Sequence, residues 1–208
     1  SMASYLRLLR NRNFMLIALV FLVGGAGRGE VMPTYLPLYL ERDFGFDIKF
    51  TILVLFLFQL GGLAGPLLLG WLSDRGSRKR VTQASLLLSG LGALGLAWQV
   101  PNALLILLNV TFFGMVTHSR GSLTLAMVAD SVSEEDQDAA FSLYFFLGFL
   151  SAPVWTIVTG YLFQTYSFKV AFTVMSTSFL AAMLVMNLVQ DVRKPMIRQK
   201  TSKVINRS

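Results

Sequence analysis

Cysteine is absent from all 208 residues, and histidine occurs once. Without thiols there can be no disulfide and no thiolate metal site, and a single imidazole cannot build a metal cluster, so neither metal nor cofactor is expected. Charged residues are scarce too, at 14 % against 54 % hydrophobic, which is too apolar for a soluble domain of ordinary composition. Enzyme signatures are also missing: there is no nucleotide-binding glycine loop, no His-Glu-x-x-His pattern, and no serine or threonine set beside a base. Gly25-Ala26-Gly27-Arg28-Gly29 matches a phosphate loop only in its glycines, lacking the preceding strand and the lysine. No catalytic residue is therefore expected.

What the chain does have is long apolar runs. A spanning helix needs roughly 20 mostly apolar residues, and six such stretches lie at about 14–39, 50–72, 81–98, 103–129, 139–163 and 169–190. They are continuous in Leu, Phe, Val and Ala rather than alternating, which argues for helices and against a barrel. The chain reads as an all-α, polytopic integral membrane protein, with a segment at 1–13, a six-helix bundle at 14–190 and a basic tail at 191–208.

The formal charge of +7 would suit nucleic acid, but its distribution does not. With the amino terminus inside, Arg7, Arg10, Arg12, Arg75, Arg78, Lys79, Arg80 and the six cations from Arg193 to Arg207 fall on the cytoplasmic side. Only Arg42, Lys49 and Lys169 fall outside, and Arg28 and Arg120 lie within spans. Thirteen against three sets an even number of spans with both termini cytoplasmic, in the plasma (inner) membrane. No nucleic acid is expected as a partner. The loop 130–138 is acidic and joins the basic turn on that side, with Asp136 or Asp138 placed to favour the positive end of the fifth helix.

Inside the spans, the first stretch is irregular, with Gly24, Gly25, Gly27 and Gly29 around Arg28 and Glu30 and with Pro33 and Pro37 beyond. Such a helix is bent or unwound, which a bilayer tolerates only where protein or a water-filled cavity covers the loosened backbone. Close packing of small residues is the other reading. Gly61 and Gly65 in the second span, Ser85, Ser89 and Ala93 in the third, and Gly148, Ala152, Pro153 and Gly160 in the fifth offer small-residue faces for neighbouring helices. The sixth span carries no ionisable group between Val170 and Val189 and reads as lipid-facing scaffold.

Four polar residues sit where charge is costly: Arg28 and Glu30 in the first span, His118 and Arg120 in the fourth. Counting ~1.5 Å per residue places the first pair roughly 21 and 24 Å, and the second roughly 18 and 15 Å, from the basic end. Phe14 to Arg28 and Leu104 to His118 are both 14 positions, and Glu30 matches Arg120 in the same way, as a 3+3 inverted repeat would produce. Glu30 is the candidate proton-titratable group, since a carboxylate in a partly apolar cavity titrates nearer neutrality. His118 is a candidate relay, and Arg120 a candidate anchor for an anionic solute group. A buried ion-pair network that only holds helices together remains the alternative.

The turn between the second and third spans reads Gly70-Trp71-Leu72-Ser73-Asp74-Arg75-Gly76-Ser77-Arg78-Lys79-Arg80. Gly70, Asp74 and Arg75, followed by Arg78 and Lys79, resemble the signature loop of the major facilitator superfamily of secondary transporters, with one glycine shifted by a place. The Gly148 to Gly160 stripe around Pro153 resembles a weakened Gly-Pro motif of some members. The resemblance covers the whole chain but half of the usual protein, and the opening Arg7-Leu8-Leu9-Arg10-Asn11-Arg12-Asn13-Phe14 resembles the link into a seventh helix. It implies the C-terminal half of a transporter, pairing with a second six-helix half or a second copy of the chain. A small solute would move between the halves by alternating access, proton-coupled or facilitative, with the motif gating. A membrane scaffold that binds another membrane protein without transporting is the other function class, and a lipid-modifying membrane enzyme is a poorer third.

Overall fold

The computed structural model describes residues 2–27 and 31–191. Arg28, Glu30 and the tail from residue 192 onward lie outside the described residues. The elements in order are α1 (Met2–Arg10), α2 (Arg12–Val23), a 3-10 turn (Gly24–Gly27), α3 (Val31–Phe44), α4 (Ile48–Arg75), α5 (Arg78–Ala97), α6 (Ala103–Ser131), a 3-10 turn (Glu134–Asp136), α7 (Gln137–Thr165) and α8 (Phe168–Leu188). The described residues contain no strand.

Helix starts follow local chemistry. Asn11, Asp47, Ser77, Asn102 and Ser167 each accept a hydrogen bond from the backbone N–H three residues on, at 2.9 to 3.3 Å, which satisfies one of the orphan donors of α2, α4, α5, α6 and α8. At α7 the expected acidic start takes a different form. Asp136 is the N-cap residue but makes no side-chain cap bond, because its carboxylate is turned toward Arg7 of α1.

Of the described helices, four are long and apolar enough to cross a membrane: α4, α6, α7 with its preceding turn, and α8. The six-span expectation is thus corrected in two places. The first stretch is not one helix, because its glycines end α2 at Val23 and leave only a 3-10 turn before the chain resumes as α3. α5 is less apolar, since it opens on Arg78, Lys79 and Arg80 and carries Ser85 and Ser89, which are buried and bonded to the Val116 and Ser85 carbonyl oxygens. A helix packed mainly against protein does not need a lipid-compatible surface all round.

The packing forms two layers. A front row runs α4, α6, the first span (α2 with α3) and α7, and α5 and α8 lie side by side behind it. Exchanging the first span with α6, α4 with α7 and α5 with α8 maps each pairing onto another. The α4·α6 seam matches α7 on the first span, α5·α6 matches α8 on the first span, and α5·α8 matches itself. That is the 3+3 repeat. The layering also corrects the reading of the sixth span: α8 buries Phe172, Met175, Ser176, Phe179, Ala182 and Met186 against α5, the first span and α7.

The closest approach is between α4 and α6. A Cβ at Gly61 or Gly65 would collide with the carbonyl oxygens of Thr111 and Met115, and one at Gly114 with that of Phe58. Here, as expected, small residues let the backbones touch and dispersion hold them.

Candidate functional site

Two polar regions stand out, one mid-bundle and one at the basic end. His118 and Arg120 leave α6 on different sides, as residues two apart on a helix must. The His118 ring lies edge-on to Phe58 at 5.0 Å and against Gly62, whose added Cβ would come within 2.8 Å of it. Its Nδ1 is 3.0 Å from the Gly114 carbonyl oxygen. A carbonyl only accepts, so an N–H at Nδ1 is what this contact calls for. The side chain is half-buried on the α4 side of the front row.

Arg120 points inward and is 2 % exposed. Its guanidinium carbon is 5.1 Å from the centre of the Phe179 ring, and a Cβ at Gly24 would lie 3.2 Å from Nη1, 3.3 Å from Ala182 and 3.4 Å from Leu86. The cation is therefore held where the broken first span meets α5 and α8, and Gly24 is the residue that makes room for it. The structure does not bring His118 and Arg120 into one pocket. The expected partners Arg28 and Glu30 fall outside the described residues.

Sequence reading missed the aromatic groups that brace the break. Trp155 on α7 donates from Nε1 to the Leu22 carbonyl oxygen at 2.9 Å, so it satisfies one of the last carbonyls of α2. Tyr144, also on α7, stacks on Phe21 at 4.1 Å and its hydroxyl meets that of Thr124 on α6. Tyr35 on α3 donates to the Thr156 carbonyl oxygen at 2.8 Å, beside Gly160. The signal available in the sequence was a Trp and a Tyr in otherwise aliphatic and Phe-rich runs, since buried hydroxyl and indole groups need partners.

At the basic end the motif residues divide. Gly70 faces open space, Asp74 is 71 % exposed, and Arg75 lies over the Trp71 ring at 3.9 Å. Arg78 turns inward: its Nη1 donates to Asp130 at 2.7 Å and to the Ala126 carbonyl oxygen at 3.2 Å, while Nη2 is 3.6 Å from Asp74. Lys79 donates to the carbonyl oxygens of Asn187 and Val189, each at 2.7 Å, a cation at the negative end of α8. Ser77 bonds to Asp191. Asn13 bridges Ser131 at 2.7 Å and the Gln190 backbone, and Asn11 donates to the Ser131 carbonyl oxygen at 2.9 Å.

The same end holds Arg7 and Asp136 in a two-point contact, at 3.0 and 2.6 Å. Hydrogen bonding from Arg7 holds the Asp136 carboxyl well below the usual carboxylate range, with Ser4 and Ser133 adding to it. All these contacts tie α1, the start of α2, the α4–α5 turn, the end of α6 and the end of α8 at one face, so the first and last described residues lie on the same side. Among the described residues no His, Cys, Asp and Glu cluster could hold a metal ion.

A family profile described as Major Facilitator Superfamily matches residues 16–205. No curated protein matches the sequence significantly. Among solved structures, the crystal structure of tetrameric PepTSo2 superposes with a TM-score of 0.74 at 17 % identity, over 85 % of this chain and 40 % of that one. The in meso crystal structure of the POT family transporter PepTSo does so with a TM-score of 0.77 at 15 % identity, over 88 % of this chain and 38 % of that one. At such identities the likeness is one of fold, and the chain spans well under half the length of either protein.

Proposed function

We propose, on the premise that this chain belongs to the major facilitator superfamily, that it acts as one six-helix half of a secondary transporter, the C-terminal half, moving a small solute by alternating access. The observation that carries this is the front row. α4 and α7, partners under the internal repeat, are each only 22 % buried over their apolar windows, against 44 % for α6 and α8. Phe56, Leu63 and Leu67 on α4 and Phe149, Val154 and Ile157 on α7 are all exposed. A second six-helix half, from a longer chain or another copy, would cover those two edges and leave a path over α6 and the first span.

Glu30, His118, Arg28 and Arg120 are the residues of that path. Glu30 carries the exchangeable proton and His118 relays it. Arg120, held where the glycine break meets α5 and α8, is the anchor for an anionic group of the solute. The gate is Gly70, Asp74, Arg75, Arg78 and Lys79. The inward ion pair of Arg78 with Asp130 supports a locked state, and the open surroundings of Gly70 and Asp74 support their facing the second half. The basic end is cytoplasmic by the excess of short-loop cations there, with both termini inside.

Flux into liposomes tests the reading, with the chain reconstituted together with its second half. Glu30→Gln should abolish pH-driven uptake, and His118→Gln should shift its pH profile. Unchanged flux in both variants removes these residues from the path. Absence of any solute movement in the unsubstituted assembly favours a scaffold that binds another membrane protein.

A further inference from the structure

α1 has its polarity reversed relative to a helix on a soluble protein. Ser4 and Leu8, one turn apart, are buried against the bundle, and Arg7 on the same side is spent on Asp136 and on the Ser4 hydroxyl at 3.2 Å. The opposite side carries Tyr5, Leu6 and Leu9, which are 38 %, 57 % and 54 % exposed. Polar contacts face the protein and the apolar stripe faces away.

Position restricts what can cover that stripe. α1 ends at Arg10 and α2 begins at Arg12, so one residue separates it from a helix that enters the membrane. It packs against α7 as well as α2, which keeps it alongside the bundle rather than extended away from it. Leu9 and Arg10 also line a groove of about 570 Å³ with Arg12, Met15, Leu19 and Leu147, which joins the outer face of α1 to the exposed side of α2 and α7.

Charge selects among the possible occupants. Arg7 is paired with Asp136 of the acidic 134–138 turn, which leaves Arg10 and Arg12 as the cations edging the stripe. A second copy docked on this face would set Arg10 and Arg12 against their own images, whereas anionic headgroups would neutralise them. An apolar stripe edged by arginines is the pattern of a helix lying in the interface plane.

We infer that α1 is an interfacial helix that docks on an anionic lipid surface at the basic end, with Tyr5, Leu6 and Leu9 at the acyl boundary and Arg10 and Arg12 at the headgroup phosphates. The ion pair of Arg7 with Asp136 fixes the rotation of α1, so that the apolar stripe rather than the polar one meets the lipid. The groove beside it runs along α2 and α7, so only the stripe of Tyr5, Leu6 and Leu9 on α1 itself is assigned to lipid, and its test needs no solute flux.

The lack of native cysteine allows a clean measurement. Single variants Leu6→Cys, Leu9→Cys and Glu135→Cys of the full chain are spin-labelled and reconstituted in vesicles of phosphatidylcholine alone or mixed with phosphatidylglycerol. Collisions with dissolved oxygen and with a water-soluble nickel chelate are then compared. Labels at 6 and 9 should favour oxygen severalfold over the label at 135, at depths of roughly 5–10 Å below the phosphates. Immersion should deepen with phosphatidylglycerol, and Arg10→Gln with Arg12→Gln should remove that dependence. Labels at 6 and 9 that meet nickel as readily as position 135 overturn the inference, as do labels reached by neither probe, which would mean protein covers the stripe. A lipid-charge dependence unaltered by the double substitution overturns the assignment of the arginines.

Discussion

The two ends of the bundle are closed by different chemistry. At the basic end the loops are tied by Arg78 with Asp130, Arg7 with Asp136, Lys79 on the carbonyls of α8, and the side chains of Asn11 and Asn13. At the opposite end Tyr39 packs on Phe44, Phe168 and Phe172 with ring centres 4.9 to 5.2 Å apart, Phe163 stacks on Phe168 at 4.6 Å, and Phe46 stacks on Phe50 at 4.3 Å. Of the three cations there, Arg42, Lys49 and Lys169, the last lies 3.2 Å from the centre of the Trp98 ring. Aromatic packing is lost by degrees and is indifferent to pH and salt, whereas ion pairs with water access exchange one partner for another at small net cost. Under the proposed transport cycle, an end built of exchangeable contacts is the one suited to opening, and a packed aromatic end is suited to staying closed as a unit.

The largest expected effect lies at the aromatic end. Phe172→Ala empties a fully buried position beside Tyr39 and should cost about 3 kcal/mol, read as a lower unfolding temperature in detergent that does not change with salt. A salt-dependent loss there would erase the distinction between the ends. Next comes Arg78→Ala, which strands Asp130, a residue only 14 % exposed at its side chain, and should cost about 2 kcal/mol at low salt, below the figure for a fully buried pair. The deficit should shrink in molar salt, and the double variant with Asp130→Ala should recover part of it. Equal losses at both salt concentrations would place this pair with the packed core instead.

The smallest effect concerns Arg7 and Asp136. The Asp136 carboxyl is depressed in the folded protein, so its contribution is present above the ordinary carboxylate range and fades as pH falls through the depressed value. Hydrogen exchange in residues 2–10 should therefore stay protected at neutral pH and rise only in strong acid. In Arg7→Gln it should already be raised at neutral pH. Release of α1 near the usual carboxylate range would show that the pair does not hold it.

Much of the fold is legible in composition, because in a bilayer every spanning segment must satisfy its own backbone. The expected starts at Phe50, Val81, Ala139 and Lys169 differ from the observed helices by one to three residues, as polar caps and amphipathic first turns prolong them. The first span was read as irregular from its glycines, and it is broken there. The distinction of α8 from a lipid-facing helix was not legible, since a Leu, Met, Ala and Phe surface suits lipid and protein equally well. Nor was the part played by Arg78: in a turn with four cations, nothing in the order of residues says which one folds back onto α6.

Length, apolarity and the placing of eighteen cations were enough to specify an all-α membrane bundle with a basic end and a charged turn of a known family. The reason is that the solvent itself dictates those features: hydrocarbon demands long apolar helices, and short basic loops stay on one side. The tertiary structure alone decided the direction of each polar side chain: His118 toward α4, Arg120 toward Phe179, Trp155 onto the end of α2, and Arg7 onto Asp136. Those directions depend on which helices are neighbours and how each is rotated, and small residues such as Gly24, Gly61 and Gly65 set that through contacts far apart in the chain.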